Sequence, residues 1–307
     1  MIAESRPTTL REVYEAYCLR NLGRRRHTNQ MYECVIRAFE RFLGREAALA
    51  DLDEFTALRY REWRLTQVCA ATVNRDMRHL KPLAHFAIRL GWVELKPWSF
   101  DPIPVDTLEP EAWTLAELER LLAAVNRHRK PGRRMNRSPL DCDEATLWTA
   151  LLLAAYDTGA RIDVLFGLKR TAFDGQFLRL PADSQKHRRE QLLRVSEQTR
   201  QAMFAIDREC GTSRERLFPW YVGTRHLRET LKLKLRAAGL PDSRRDLWHK
   251  LRRTTATHFA SIAGAHAAQS QLGHSTIRVT ERYLDRRQMG TAYAADVLPR
   301  PRLPEPK

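Results

Sequence analysis

LGHSTIRVTERYLDRR, residues 272–287, sets His274 nine positions before Tyr283 in a polar, basic stretch, and how it is read decides the fold of the chain. A tyrosine in such a stretch is by itself more often a half-buried core residue than a nucleophile. Working outward, three further short features stand out: HKLRR (249–253), Lys186 in a basic turn between two strand-like stretches, and TGARIDVLFGL (158–168). Each alone has a plain explanation. An arginine just after a helix-ending glycine is usually a surface or capping residue. His249 and Arg252, three positions apart on one helical face, are often only a structural pair.

In this order and at these spacings, the set resembles the tyrosine recombinase, or phage integrase, family. Thr158, Gly159 and Arg161 match the family's first arginine motif, which is followed by an apolar helix. His249, Leu251 and Arg252 match its H-x-L-R pattern. His274 and Tyr283 match the LGH motif and the tyrosine that follows it, and Lys186 falls where the family's strand-turn lysine belongs. The resemblance covers about residues 8–290. It implies a mainly α fold: an N-terminal four-helix, SAM-like core-binding bundle, then a mixed, mostly helical catalytic domain with a small antiparallel sheet. One departure stands out. Many members carry an acidic residue three positions after the first arginine, where this chain has Val164, with Asp163 one place earlier. One helical position is about 100° of rotation, so Asp163 is not an automatic substitute.

The resemblance assigns roles that the chemistry makes intelligible. Phosphoryl transfer at a DNA phosphodiester develops negative charge on the nonbridging oxygens, and two guanidinium forks, Arg161 and Arg252, can stabilise it without a metal. A phenol with an unperturbed pKa near ~10 is a poor nucleophile at neutral pH, so His249 is expected to act as base or proton shuttle for Tyr283. Lys186 is the expected general acid for the departing 5′ oxygen, and His274 is expected to hydrogen-bond the scissile phosphate. The implied product is a 3′-phosphotyrosyl link with a free 5′ hydroxyl, formed with no cofactor, metal or ATP. The implied partner is a double-stranded DNA recombination site. The implied assembly is a homotetramer on DNA, monomeric off it, exchanging strands through a Holliday junction.

Composition is consistent with this reading. The 307 residues hold 53 Lys and Arg against 37 Asp and Glu, a net charge of +16 that draws polyanions. The excess is spread, +5 over residues 1–100 and +11 over the remainder, as suits a protein touching a duplex with two domains. Only nine of the basic residues are lysines, which makes Lys186 less ordinary. Cys18, Cys34, Cys69, Cys142 and Cys210 form no CxxC pair, so zinc and disulfide frameworks lack support. The N-terminus lacks a signal-peptide pattern, and the longest uncharged apolar run, Ala145 to Tyr156, is too short to span a bilayer. A cytoplasmic, nucleoid-associated protein with no membrane partner is expected.

Periodicity predicts four helices before residue 93. They are Thr9 to Leu22, a second capped by Thr28 or Asn29, a third starting at Asp53 or Thr56, and a fourth from about Ala71 to Leu90 with a kink at Pro82. Met77, Leu80, Leu83, Ala84, Ala87 and Ile88 should face inward on the fourth. Four prolines between Pro97 and Pro110 mark a linker, giving domains at 1–105 and 113–298 joined by a link to about 112, with a Pro-rich disordered tail at 299–307. With the bundle starting near residue 8, no extra N-terminal arm-binding domain is expected. The second domain opens with a capping box, Thr114 and Glu117. A buried helix over 145–158 and strands near 177–180 and 192–195 follow. Helices are then expected from 197 and at 224–238, 247–262 and 276–284. A segment at 290–298 could pack on a neighbouring protomer.

Arg24, Arg25 and Arg26, with Arg75, Arg78 and Lys81 at helical spacing, are candidate DNA contacts or a solvated face. The basic run 126–137 is either a solvated loop or a phosphate-contacting strip. Two other readings stay open at this point: a DNA-binding protein of this fold that has lost catalysis, and a type IB topoisomerase.

Overall fold

The computed structural model describes residues 6–21, 26–127, 142–185, 188–219 and 223–290. The chain divides into two compact units, Met1–Thr107 and Leu108–Lys307.

The first unit is built on α1 (Leu10–Arg20), α2 (Arg26–Leu43), α3 (Glu54–Leu65) and α4 (Ala70–Arg89). Thr9 caps α1 by accepting from the Glu12 N–H, and the Glu12 carboxylate accepts in return from the Thr9 N–H at 3.0 Å. Asp53 caps α3 through the Thr56 N–H at 2.9 Å. Contrary to expectation, α2 starts at Arg26, so Thr28 and Asn29 lie inside its first turn. Tertiary packing explains this: Tyr32 stacks on Tyr14 of α1 at 5.4 Å between ring centres, and the Tyr14 hydroxyl donates to the Asn29 carbonyl. These contacts hold the first turns of α2.

Helix α4 runs unbroken through Pro82 and buries Val73, Met77, Leu80, Leu83, Ala84, Phe86 and Ala87, while Ile88 is only half-buried. Between these apolar residues sits Asp76, fully buried. Its carboxylate accepts from Arg64 Nε at 3.0 Å, Arg75 Nη2 at 2.9 Å and the Tyr60 hydroxyl at 3.2 Å. A carboxylate out of water is tolerable only when its charge and lone pairs are met in this way. After α4, Trp98 is buried and donates to the Leu52 carbonyl at 2.7 Å, so the start of the proline-rich stretch belongs to this unit's core.

The second unit contains α5 (Leu115–Arg127), α6 (Glu144–Thr158), α7 (Ile162–Gly167), β1 (Phe177–Leu180), β2 (Gln191–Arg194), α8 (Glu197–Cys210), α9 (Thr224–Ala237), α10 (Trp248–Ala263), α11 (Ala265–Leu272) and α12 (Ile277–Glu281). Thr114 and Glu117 form the capping box of α5. Helix α6 is apolar nearly all round and is correspondingly buried, forming the spine on which α5, α8 and α10 pack. Strands β1 and β2 pair antiparallel, with Leu178 opposite Leu193.

Two expectations are corrected. Helix α11 was not anticipated, because AHAAQSQL is short, alanine-rich and without an apolar stripe. Helix α12 ends at Glu281 rather than 284, because the chain tightens there and the Tyr283 N–H bonds the Thr280 carbonyl at 2.7 Å. Tyr283 therefore stands in a turn just past a helix end. The basic run from 128 to 137, the segment 291–298 and the tail 299–307 lie outside the described residues. Among the described residues, no helix is long and apolar enough to cross a membrane.

Candidate active site

Two chain reversals in the second unit bring the motif residues together. Helix α6 ends at Gly159, whose φ of +59° is left-handed; a Cβ there would lie 2.5 Å from Leu272 Cδ2. Only glycine lets the end of α6 touch the end of α11 so closely. Helix α11 ends at Gly273, also left-handed at φ +65°, where a Cβ would meet the Gln191 side chain at 2.9 Å. The glycine of the TGxR motif thus lets α6 meet α11 and that of the LGH motif lets the end of α11 meet Gln191 of β2, and the Gly159 and Leu272 carbonyls stand around the side chain of Arg252.

Arg252, from the first turns of α10, is buried at 4% exposure. Its Nη1 donates to the Gly159 carbonyl, and its Nη2 donates to the Leu272 carbonyl at 2.9 Å and meets His274 Nε2 at 2.9 Å. Its Nε is buried without a hydrogen-bond partner. Burial first, then the charge of Arg161, lowers its pKa to about 10, with Tyr283 opposing them. The group is still a cation at neutral pH.

His274 is buried at 6% exposure, and its Nδ1 lies 3.0 Å from the hydroxyl of fully buried Thr280. Its backbone is clamped by Gln269, which accepts the His274 N–H through its carbonyl and donates its side-chain amide to the His274 carbonyl. The half-buried Tyr283 ring centre is 4.9 Å from that of His274 and 5.0 Å from that of His249. Thr257 of α10 holds the tyrosine turn, donating to the Tyr283 carbonyl at 3.3 Å and accepting the Asp285 N–H at 2.9 Å.

His249, in the first turn of α10, is the exposed member of the set. Crowding by surrounding protein, followed by the charges of Arg253, Arg252 and Arg161, nevertheless pulls its pKa from 6.5 to about 4. It is neutral at pH 7, the form a base requires. Arg161 stands at the N-terminal boundary of α7, partly exposed, and its charge reaches both His249 and Arg252. Val164 is buried in the core of the unit while Asp163 is exposed, so the position three residues after Arg161 serves packing.

Arg161, His249, Arg252, His274 and Tyr283 are therefore gathered at one place. Lys186 lies outside the described residues. So do Arg24 and Arg25, and nothing describes the side chain of Arg26. Arg75 is engaged with Asp76, whereas Arg78 is exposed and donates to the Asn74 carbonyl. Lys81 sits 5.9 Å from the centre of the Phe100 ring. Sequence reasoning missed Arg253, Thr257, Gln269 and Thr280. Arg253 could have been found as the residue one turn after His249 on the same helical face; the others carry no signal until the chain is folded.

A description of the phage integrase family matches residues 113–289, more than half of the chain. The chain belongs to the phage integrase family. It is accordingly a tyrosine site-specific recombinase, and the matched span contains every residue of the cluster. A protein of Pseudomonas phage Pf1, named as a candidate integrase, is 27% identical over 269 residues, covering 82% of this chain and 72% of that protein. Among solved structures, a lambda integrase tetramer bound to a Holliday junction aligns with a TM-score of 0.70 at 17% identity, over 95% of this chain and 81% of that one. The integrase of transposon Tn1549, in complex with a circular intermediate DNA, aligns with a TM-score of 0.70 at 17% identity, over 91% of this chain and 96% of that one. The phage integrase fold is thus shared at low sequence identity.

Proposed function

We propose that this recombinase cuts and rejoins double-stranded DNA at a defined site through a covalent 3′-phosphotyrosyl link on Tyr283. The observation that carries the reading is the convergence on the Tyr283 ring of His249 and Arg252 from α10 and of His274 from the turn after α11. In the first step Tyr283 Oη attacks the scissile phosphorus while its proton passes to neutral His249. The bond from phosphorus to the 5′ oxygen breaks, and Lys186 supplies the proton to that oxygen. Arg161 and Arg252 bind the nonbridging oxygens, where charge accumulates, and His274, whose Nε2 accepts from Arg252 in the DNA-free protein, takes a proton there from solvent once Arg252 turns to the phosphate and then donates a further hydrogen bond to it. The link conserves the phosphodiester, so a 5′ hydroxyl from another strand reverses the step with no ATP and no metal.

Residues 1–105 would hold the duplex, with Arg24, Arg25, Arg26, Arg78 and Lys81 on phosphates, and residues 113–298 would carry the chemistry. Arg75, occupied by Asp76, would contribute to the bundle more than to DNA. The lambda integrase assembly supports a homotetramer exchanging strands through a Holliday junction, formed on DNA from monomers, and DNA as substrate implies work in the nucleoid-containing cytoplasm. A nicked suicide substrate carrying the site should trap a covalent complex with the wild-type protein and none with Tyr283→Phe. Equal trapping by that variant would overturn the reading.

A further inference from the structure

Both ring nitrogens of His274 are engaged inside the protein. Arg252 Nη2 has only protons to offer, so at 2.9 Å the Nε2 of His274 must present its lone pair. In a neutral ring the proton then sits on Nδ1, directed at the Thr280 hydroxyl 3.0 Å away. Thr280 is fully buried in the last turns of α12, three residues before the tyrosine, and the Tyr283 N–H bonds its carbonyl at 2.7 Å. One residue therefore touches the histidine through its side chain and the nucleophile's backbone through its carbonyl.

We propose that Thr280 is a positioning residue for strand cleavage. Its hydroxyl accepts the Nδ1 proton that Arg252 imposes on His274, and so lets Nε2 remain an acceptor that holds Arg252 beside Tyr283 until a phosphate oxygen takes the guanidinium. Without the hydroxyl, Nδ1–H would be buried with no acceptor, and the proton moves to Nε2. Two N–H groups then face each other, and Arg252 loses one of the three acceptors that aim it. Among the described residues, charged and titratable groups facing His274 include Arg252 from α10 and Tyr283 from the turn after α12, with His249 on the other side of the tyrosine ring and the charge of Arg161 acting on Arg252.

This inference rests on the recombinase reading for its catalytic half but not for its tautomer. The test pairs Thr280→Val, of nearly equal shape, with Thr280→Ser, which restores the hydroxyl. Nitrogen-15 NMR of the His274 ring in the DNA-free full chain should show Nδ1–H in the wild type and the serine variant, and Nε2–H in the valine variant. Single-turnover cleavage of a suicide substrate should fall about tenfold or more in the valine variant with unchanged DNA affinity, and recover with serine. An Nδ1–H signature unaltered by valine, or a serine variant as slow as valine, would overturn the proposal. Absence of cleavage by the wild type, with the tautomer change intact, would instead count against the recombinase reading.

Discussion

The guanidinium carbon of Arg252 lies 5.6 Å from the centre of the Tyr283 ring while its two terminal nitrogens are held by the carbonyls of Gly159 and Leu272. A buried cation is thereby fixed beside Tyr283, the proposed nucleophile, by the ends of two helices, α6 and α11, that the glycine turn at Gly159 allows to meet. Geometry of this kind costs no reorganisation when phosphate charge develops, which is where electrostatic catalysis gains most.

Arg252 should accordingly tolerate no replacement. Arg252→Ala is expected to lower single-turnover cleavage by about 10²–10³, the usual loss for one transition-state donor. Arg252→Lys should recover little of it, because an ammonium cannot hold two carbonyls and a histidine in one plane. Cleavage by the lysine variant within a few-fold of wild type would show that charge alone is wanted.

The two motif glycines should differ in cost. Gly159→Ala meets both a left-handed φ and a rigid contact with Leu272, whereas at Gly273 the nearest atoms are the far end of the flexible Gln191 side chain. Urea unfolding should show Gly159→Ala losing more than the about 1–3 kcal/mol of backbone strain, and Gly273→Ala staying within it. The reverse order would contradict the packing described.

His249 should titrate far below an ordinary histidine. Its ring proton signals should move with a midpoint nearer 4 than 6.5 in the DNA-free protein. Arg253→Gln removes the strongest of the neighbouring charges and should raise that midpoint. The sign for stability follows: the neutral ring's contribution is whole above about pH 6.5 and is lost as pH falls towards the lowered midpoint. A wild-type midpoint at 6.5, or no change in the glutamine variant, would refute this.

In the first unit, Arg75 and Arg78 should separate by experiment although the sequence treats them alike. Arg75→Ala removes one cation from fully buried Asp76 and should lower the melting temperature. Arg78→Ala should leave the melting temperature alone and reduce the salt slope of DNA binding by about 1. Identical behaviour of the two variants would merge their roles.

Much of this was legible before the structure. The helix starts near Thr9 and Asp53, the capping box of Thr114 and Glu117, the inward stripe of α4 and the all-apolar α6 are local signals, and they specified the starts of their elements to within a residue or two. The residues gathered around Tyr283 could be picked out because their spacing resembles a known family. What was not legible depends on contacts between distant segments. The start of α2 is set by Tyr32 packing on Tyr14, and Arg75 is diverted by a buried carboxylate whose surroundings no linear pattern reveals. Thr280, in a sequence just one more polar residue near Tyr283, acquires its place only when His274 folds against it.

The most direct measurement of the central claim is peptide mapping of the trapped protein–DNA adduct by mass spectrometry after nuclease and protease digestion. The nucleotide should be found on the peptide containing Tyr283, joined through a 3′ phosphate and released with a free 5′ hydroxyl on the other strand end. An adduct on any other tyrosine, or a 5′-phosphate linkage, would contradict the account.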